Sequence, residues 1–284
     1  MIVLQNLHTH TTYCDGIDTP EQVVQQAISL GMDSIGFSEH SPLFYSPLYN
    51  DIKEKNKRYR EEIRRLKDAY RGKIHILCGL EVDLYSAKDQ EPSYDYLIGS
   101  VHYLHIGNEY VGFDRDSATV ERVINTYFKG DGLAYAKAYY EALGEMPTLM
   151  SADIIGHFDL ISKHAEKVTL FDTEDPAYRA YATDAMDVLV KKVPVLEINT
   201  GAVARGYRTA VYPDPFLLKE WKKRGGEIII SSDCHDKRNL LCAFGDAVAL
   251  ARECGFDHSL VLDVHGFCEV SLDELEKKLS SPNF

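Results

Sequence analysis

The chain has 284 residues, of which 45% are hydrophobic and 26% are charged, and this balance excludes an intrinsically disordered protein. Its formal net charge is −13 with the histidines neutral, which disfavours nucleic acids and anionic membranes as partners. No apolar run approaches the roughly 18 residues of a membrane helix, so we expect neither a membrane span nor a nucleic-acid interface.

The cysteines and the first residues together indicate the compartment. None of the six cysteines belongs to a Cys-x-x-Cys pair, and a disulfide framework is not expected in a chain of this length. Residues 1–8 contain neither the basic region nor the cleavage site of a secretory signal. We therefore expect reduced thiols and a cytoplasmic protein.

Strand-like and helix-like segments alternate along the chain. Short apolar segments predict strands at residues 2–7, 34–37, 74–80, 96–101, 153–155, 195–198 and 227–231. Helices are predicted at residues 20–30, 51–70, 118–129, 133–143, 176–192, 215–224 and 240–254. Thr19 and Pro20 supply the first helix with a capping residue and a favourable first position. A strand-like stretch at 259–264 and a helical one at 272–279 follow.

The predicted strands are mostly apolar rather than alternating, which suits parallel strands that are covered on both faces. Helices between the strands favour βα units. No linker rich in Pro, Gly or Ser, no low-complexity tract and no internal repeat divides the sequence. We therefore predict one α/β domain over residues 1–284, built as a barrel, with an open doubly wound sheet as the alternative.

Metal-binding side chains stand at the carboxyl ends of the predicted strands. The set consists of His8, His10, His40, Glu81, His102, His157, Asp233 and His235. In a βα barrel these strand ends face one mouth, so residues far apart in sequence converge there. Imidazole and carboxylate groups are ligands for Zn, Mn and Fe. The sequence therefore predicts a metal centre at the barrel mouth.

The spacing of the first and last of these residues supports the same conclusion. His8 and His10 are two residues apart, so on an extended segment both side chains point to one side and one metal ion can take both. The same geometry holds for Asp233 and His235. A single buried histidine more often satisfies a core hydrogen bond, but that explanation does not suit six histidines at strand ends.

The ordered set, which begins with His8-Thr9-His10 and Asp15 and ends with Asp233-Cys234-His235, resembles the PHP (polymerase and histidinol phosphatase) superfamily. The motifs span residues 8 to 235, and a length without added domains looks like the stand-alone histidinol-phosphate phosphatases. The resemblance implies a single distorted (β/α)7 TIM-like barrel, the PHP fold, that holds three divalent metal ions (Zn, Mn or Fe).

The resemblance also implies a set of ligands for each of the three metals. The first metal would be held by His8, His10, Glu81 and Asp233. Glu81 would bridge to a second metal, which His102 and His157 would complete. Asp15, His40 and His235 would hold the third. Every one of these positions carries a competent ligand, and Asp at position 15 is one of the residues that relatives use there.

The activity implied by the resemblance is that of a metal-dependent phosphomonoesterase. The substrate would be L-histidinol phosphate, hydrolysed to L-histidinol and phosphate in histidine biosynthesis. A hydroxide that bridges two of the metal ions would attack phosphorus in line. Asp233 and His235 are the candidate catalytic residues for protonating the leaving alkoxide, although both are also assigned as ligands, and the sequence leaves that role open.

Cations near the strand ends are candidates for binding the substrate phosphate, which arginine grips bidentately. By resemblance one arginine in the loop after the sixth predicted strand does so, and Arg205 matches best, ahead of Arg208. Lys163, shortly after His157, is the second candidate. The apolar residues 41–45 could wall the organic part of the substrate, or simply pack on the barrel.

Three other interpretations stay open at this point. The chain could be a PHP phosphoesterase acting on another small phosphate ester or nucleotide. It could be a metal-binding module without turnover, since only the coordination geometry separates catalytic from structural sites. It could also resemble an amidohydrolase, although no matching strand-end lysine is present. The oligomeric state, the metal identities and the residues that recognise imidazole and amine cannot be predicted.

Overall fold

The computed structural model of the chain describes residues 2–86 and 94–281. Its strands are β1 (Gln5–Asn6), β2 (Ser34–His40), β3 (His75–Asp83), β4 (Tyr96–Ser100), β5 (Tyr103–Ile106), β6 (Glu109–Gly112), β7 (Ile154–Ile155), β8 (Val195–Asn199), β9 (Glu227–Ser231), β10 (His258–Asp263) and β11 (Gly266–Ser271). Its helices are α1 (Pro20–Ser29), α2 (Tyr49–Ala69), α3 (Ser117–Phe128), α4 (Gly132–Leu149), α5 (Pro176–Leu189), α6 (Gly201–Ala204), α7 (Pro215–Lys223), α8 (Phe244–Glu253) and α9 (Leu272–Leu279).

Seven parallel strands form one sheet in the order β1-β2-β3-β4-β7-β8-β9. The two outer strands meet just beyond their carboxyl ends, where Thr9 and Cys234 form a parallel bridge. The backbone NH of His10 donates to Cys234 O at 2.8 Å, and the NH of Cys234 donates to His8 O at 3.0 Å. The sheet is therefore a nearly closed barrel, which confirms the predicted fold and not the open-sheet alternative.

The barrel interior is filled by one tyrosine among aliphatic side chains. Tyr96 is 1% exposed, and its hydroxyl donates toward the carbonyls of Leu7 and Phe37. Gly36 and Gly79 provide the space, because a methyl group at either position would overlap the Tyr96 side chain. The helices cover the outer face of the strands and form the larger hydrophobic core.

A terminal hairpin closes the amino-terminal end of the barrel. Strands β10 and β11 pair antiparallel, and Leu262 packs with the barrel interior. The Gln5 side chain in β1 donates to Leu262 O at 2.8 Å and accepts from Leu262 N at 2.7 Å. The strand-like and helical stretches predicted near the end of the chain are thus β10 and α9, whereas β11 was not predicted.

Helix α1 begins as the sequence predicts, while other helix ends differ. Thr19 caps α1 in a capping box with Gln22, and Pro20 occupies the first turn. Helix α4 continues to Leu149 and includes Pro147, beyond the predicted end at residue 143. The predicted start of α8 at residue 240 was wrong. The helix begins at Phe244, after a 3-10 turn at Lys237–Asn239.

The antiparallel pair β5–β6 lies between β4 and α3 and was not predicted either. Its aromatic side chains pack beside the barrel mouth, where the rings of Tyr45 and Tyr110 stack at 4.0 Å. Within residues 2–86 and 94–281, no helix is both long enough and apolar enough to cross a bilayer.

Candidate metal centre

Each strand end contributes side chains to the same mouth of the barrel. His8 and His10 follow β1, and His40 is the last residue of β2. Glu81 lies two residues before the end of β3, and its side chain is 1% exposed. His102, His157, Asp233 and His235 lie in the segments just after β4, β7 and β9. These eight predicted ligands therefore meet at one end of the sheet.

The first group surrounds Glu81 Oε2 and Asp233 Oδ1. The Nε2 atoms of His8 and His10 both lie 3.5 Å from Glu81 Oε2. They lie 3.7 Å and 3.3 Å from Asp233 Oδ1. Both Nε2 atoms are buried without a hydrogen-bond partner in the described part of the chain. Such a cluster of unpaired donors is expected where a cation binds.

The second group faces the other oxygen of Glu81. His157 Nε2 lies 3.0 Å from Glu81 Oε1, and His102 Nε2 lies 3.4 Å from the same atom. His102 is oriented by Asp83, whose Oδ2 is 3.4 Å from Nδ1. One carboxylate therefore stands between two sets of histidines, the arrangement predicted for a bridging ligand.

The third group lies nearer the solvent. Asp15 Oδ1 is 3.6 Å from His40 Nε2, and Asp15 Oδ2 is 3.3 Å from His235 Nε2. His10, Asp15, His40 and His235 offer ligand atoms within 4.8 Å of one another. His40 also turns its Nδ1 to Glu81 Oε2 at 2.8 Å, so it joins the third group to the first.

The electrostatics favour anionic carboxylates and a neutral His10. Burial opposes ionisation of Glu81, but His102, His8 and His40 outweigh it and hold the pKa of Glu81 well below its usual range. Burial likewise opposes ionisation of Asp233, and Arg205 and His8 hold its pKa well below the usual range. Burial, helped by His235 and His40, lowers the pKa of His10 to about 3. Metals bind carboxylates and neutral imidazoles.

The donor set fits divalent transition metals. Three groups of imidazole and carboxylate atoms lie in the barrel mouth, and within each group the ligand atoms are within 4.8 Å of one another. His10 belongs to two of the groups, and His8 also belongs to two. Mixed nitrogen and oxygen ligands of this kind suit Zn, Mn and Fe. His102 is not part of these three groups, although it contacts Glu81.

Glu197 is a site residue that sequence reasoning missed. It is fully buried in β8 and lies 2.7 Å from His8 Nδ1. It also accepts hydrogen bonds from the His157 backbone NH at 2.8 Å and from Asn199 Nδ2 at 2.9 Å. A carboxylate on Nδ1 fixes the tautomer of a histidine that binds metal through Nε2. The sequence feature that could have identified Glu197 is its charge within the otherwise apolar predicted strand at residues 195–198.

The two predicted cations reach the same mouth. Arg205 Nη2 donates to Asp233 Oδ2 at 2.7 Å, and its Nη1 lies 2.8 Å from His235 Nδ1. Lys163 Nζ lies 3.1 Å from Asp114 Oδ2. Both cations line a cavity of about 690 Å³ together with Glu81, Asp233 and His235. Arg205 and Lys163 are therefore within reach of an anion bound there.

Arg208, the weaker candidate, points elsewhere. Its Nη1 donates to Ser162 Oγ at 2.6 Å and lies 3.7 Å from Asp159 Oδ2. Asp159 is 1% exposed, so this arginine offsets a buried carboxylate. The contacts of Arg208 tie its loop to the segment that carries Lys163.

The loop after His40 is only partly in the cavity. Ser41 and Leu43 line it, and Leu48, Ile52 and Tyr103 add to the same wall. Phe44, by contrast, is 52% exposed, and its ring packs edge-on against Tyr45 and Tyr110.

The chain resembles known proteins along most of its length. The sequence pattern of the PHP domain family matches residues 6–201. A protein named "Probable histidinol-phosphatase" from Deinococcus radiodurans is 29% identical over 268 residues, which cover 90% of this chain and 95% of that protein. The histidinol-phosphatase of Bacillus subtilis is 26% identical, and the match covers 80% of this chain and 92% of the relative.

A solved structure shares the fold. It is the histidinol phosphate phosphatase of Lactococcus lactis, crystallised with zinc, L-histidinol and phosphate. It aligns with a TM-score of 0.69 at 22% identity and covers 94% of this chain and 100% of its own. At this identity the likeness shows a common barrel.

Proposed function

This chain belongs to the PHP domain family, and from that premise we propose that it is a metal-dependent phosphomonoesterase that hydrolyses L-histidinol phosphate to L-histidinol and phosphate. The observation that carries the proposal is the cavity in which the histidine and carboxylate groups stand beside Arg205 and Lys163. The relatives named histidinol-phosphatase, and the zinc, L-histidinol and phosphate in the Lactococcus lactis structure, support this choice of substrate.

Three divalent metal ions are proposed as cofactors, held by the ligand sets that the family resemblance implies. His8, His10, Glu81 and Asp233 would hold the first, Glu81 with His102 and His157 the second, and Asp15 with His40 and His235 the third. The short distances around Glu81 and the unpaired buried ring nitrogens of His8 and His10 support this assignment. When bound, such ions neutralise phosphoryl oxygens and lower the pKa of water toward neutrality.

The protein's own cations complete the binding of the phosphate. Arg205 is held at the cavity wall by its contacts to Asp233 and His235, and its positive charge would attract the phosphate oxygens. Lys163 adds a point charge from the segment after His157. The leaving alkoxide needs a proton, and Asp233 and His235, which line the cavity beside Arg205, are the two groups proposed to deliver it. Because the pKa of Asp233 is held low, Asp233 starts as the anion, so it would take a proton from the attacking water before passing it on.

We propose that residues 1–284 act as one domain in the cytoplasm, on a small molecule and without nucleic-acid or membrane partners. The net charge of −13 supports the last point. All six cysteines are free thiols, as a reducing compartment allows.

The test is phosphate release from L-histidinol phosphate beside sugar phosphates, nucleotides and p-nitrophenyl phosphate, each with and without a chelator. We expect chelator-sensitive turnover that strongly favours L-histidinol phosphate. Broad, weak turnover would keep the phosphoesterase chemistry and remove the proposed substrate. No turnover by protein with its metals fully loaded would leave a metal-binding module or an amidohydrolase.

A further inference from the structure

A thiol and a buried carboxylate lie behind His10, on the side of its Nδ1 atom. Cys14 Sγ is 3.3 Å from His10 Nδ1 and 3.2 Å from Asp15 Oδ1. Glu39, in β2, is fully buried, and one of its carboxylate oxygens lies within 4.8 Å of both the thiol and the imidazole. The metal assignment uses neither Cys14 nor Glu39.

The thiol is held in this position by a tight turn. The backbone NH groups of Cys14 and Gly16 both donate to Thr11 O at 3.0 Å, which folds residues 11–16 back onto His10. A side chain at Gly16 would collide with the backbone of His10 and Thr11. The contact between the sulfur and the imidazole therefore follows from the backbone of this turn.

Cys14 occupies for His10 the position that Glu197 occupies for His8. His8 Nδ1 has the Glu197 carboxylate at 2.7 Å. His10 Nδ1 has the sulfur at 3.3 Å, and Asp15 Oδ1 lies farther away at 3.9 Å. A histidine that binds metal through Nε2 needs an acceptor for its Nδ1 hydrogen, and sulfur is a weak acceptor of hydrogen bonds.

Glu39 explains where the hydrogen of the thiol can go. Its Oε1 accepts from Thr11 Oγ1, while its Oε2 is buried without a hydrogen-bond partner in the described residues. The S–H group rotates about its bond to Cβ, so it can donate to Asp15 or to Glu39. When Asp15 serves as a ligand of the third metal, Glu39 is the remaining acceptor.

We propose that Cys14 is the positioning residue for His10. Its sulfur accepts the Nδ1 hydrogen of His10, and its own hydrogen goes to the Glu39 carboxylate. His10 Nε2 is thereby held toward Glu81 and Asp233. The inference rests on the proposed role of His10 as a metal ligand.

The direct test measures the His10 tautomer by long-range ¹H–¹⁵N NMR in the full chain after chelation. Because Nε2 of the metal-free protein faces the carboxylates of Glu81 and Asp233, we expect a mixture of the two tautomers. Cys14→Ala should lower the Nδ1–H fraction relative to the wild type, and Cys14→Ser should restore it. Cys242→Ala is the matched control, because Cys242 is also a half-buried free thiol but is not grouped with His10 and Glu39. A tautomer ratio of His10 that Cys14→Ala leaves unchanged would overturn the proposal.

Zinc affinity, measured by competition with a chromophoric chelator, is the second readout. Loss of a partner that orients a metal ligand typically weakens binding about 10- to 100-fold, and we expect this of Cys14→Ala but not of Cys242→Ala. Glu39→Gln is expected to weaken zinc binding less than Cys14→Ala, and it keeps the proposal testable if Cys14→Ala fails to fold. Equal affinities of the wild type, Cys14→Ala and Glu39→Gln would contradict the role of Cys14. A wild type without zinc affinity would instead remove the metal assignment, while the tautomer still decides the positioning.

Discussion

Glu81 connects the candidate ligands at the level of single residues. One of its oxygens faces His102 and His157, and the other faces His8, His10 and His40. Because the carboxylate is buried and its pKa is held low, it supplies a negative charge to all five rings. A neutral side chain in its place would leave those rings without their shared partner.

The first prediction follows from this position. Glu81→Ala should lower kcat/KM for L-histidinol phosphate roughly a thousandfold, since it removes the charge proposed to join two metal ions. The barrel should still fold, which circular dichroism can check. Full activity in a folded Glu81→Ala variant would refute the proposed ligand set.

Arg205 and Arg208 form a matched pair for the second prediction, because they lie in one loop with different partners. Arg205→Ala should lower kcat/KM about 10- to 100-fold through a higher KM, as the loss of a charge-assisted bidentate contact implies. Arg208→Ala should mainly lower the melting temperature, because it leaves Asp159 buried without its cation. Metal content measured alongside separates loss of phosphate binding from disturbance of Asp233. Equal effects of both variants on KM would remove Arg205 from the phosphate site.

The side chains at strand ends could be predicted from sequence, because position after a strand decides where they point. The groups behind them could not. Glu197 meets His8 only because β8 lies near β1 across the barrel, and Cys14 meets His10 only because the turn at 11–16 folds back. Such contacts depend on how the backbone folds in three dimensions, and the spacing of residues along the sequence does not reveal this.

At the level of secondary-structure elements, the terminal hairpin closes one end of the barrel. Leu262 is 7% exposed among the interior side chains, and Val264, two residues later, is 77% exposed. Leu262→Ala should lower the free energy of unfolding by about 2–4 kcal/mol, the usual cost of a buried leucine. Val264→Ala should change it by less than about 0.5 kcal/mol. Urea denaturation measures both, and similar values would mean that the hairpin does not close the barrel.

His258, the first residue of the same hairpin, should make the stability of the protein depend on pH. His258 Nε2 lies 2.8 Å from Glu227 Oε2, and its Nδ1 lies 2.7 Å from Asp257 Oδ1. Burial opposes the charged form, but these carboxylates prevail and raise the pKa of His258 above 6.5. The folded state therefore binds the proton more tightly than the unfolded state. The resulting stabilisation is complete below a pH of about 6.5 and is lost as the pH rises through the folded pKa.

His258→Asn should accordingly lower the free energy of unfolding at pH 5.5 and change it little at pH 9. Urea titrations at both pH values measure this difference. His265→Asn, at an exposed position of the same hairpin, is the control and should match the wild type at both. A larger loss at pH 9 than at pH 5.5 would reverse the assigned sign.

The elements differed in how well sequence patterns predicted them. The barrel strands and α1 were recognisable because apolar runs and the Thr19-Pro20 start are local signals. The pairs β5–β6 and β10–β11 are antiparallel and partly exposed, with polar residues such as Glu109 and Glu269. Their stability comes from packing against the barrel, so β5, β6 and β11 had no strong local pattern.

At the level of the whole molecule, a net charge of −13 opposes an anionic substrate. Four cations line the cavity, since Arg115 and Arg122 lie there in addition to Lys163 and Arg205, but five carboxylates line it too, so the proposed metal ions would be needed to make the lining positive. Charges of this kind guide ions over distances of about 10 Å at moderate ionic strength. Approach of the phosphate ester should therefore depend on these arginines and on salt.

The double variant Arg115→Gln/Arg122→Gln should lower kcat/KM several-fold at low ionic strength, and the difference from wild type should shrink as salt is added. Arg71→Gln, which removes a charge near the start of β3, at the other end of the barrel, is the control. Steady-state kinetics across a salt series measures the effect. A difference that is constant over the series would exclude electrostatic steering.

The contact between β1 and β9, the two outer strands of the barrel sheet, has a consequence for the synthesis of the protein. Asn6 and Ser232 hydrogen-bond beside the seam and are separated by 226 residues. At translation speeds of about 5–20 residues per second, the histidine pair near the start waits roughly 10–45 seconds for its partner segment. Until then the nascent chain would present only part of the proposed ligand sets. If the proposed ligand sets are correct, a metal ion would be retained only after the segment with Asp233 and His235 has been made.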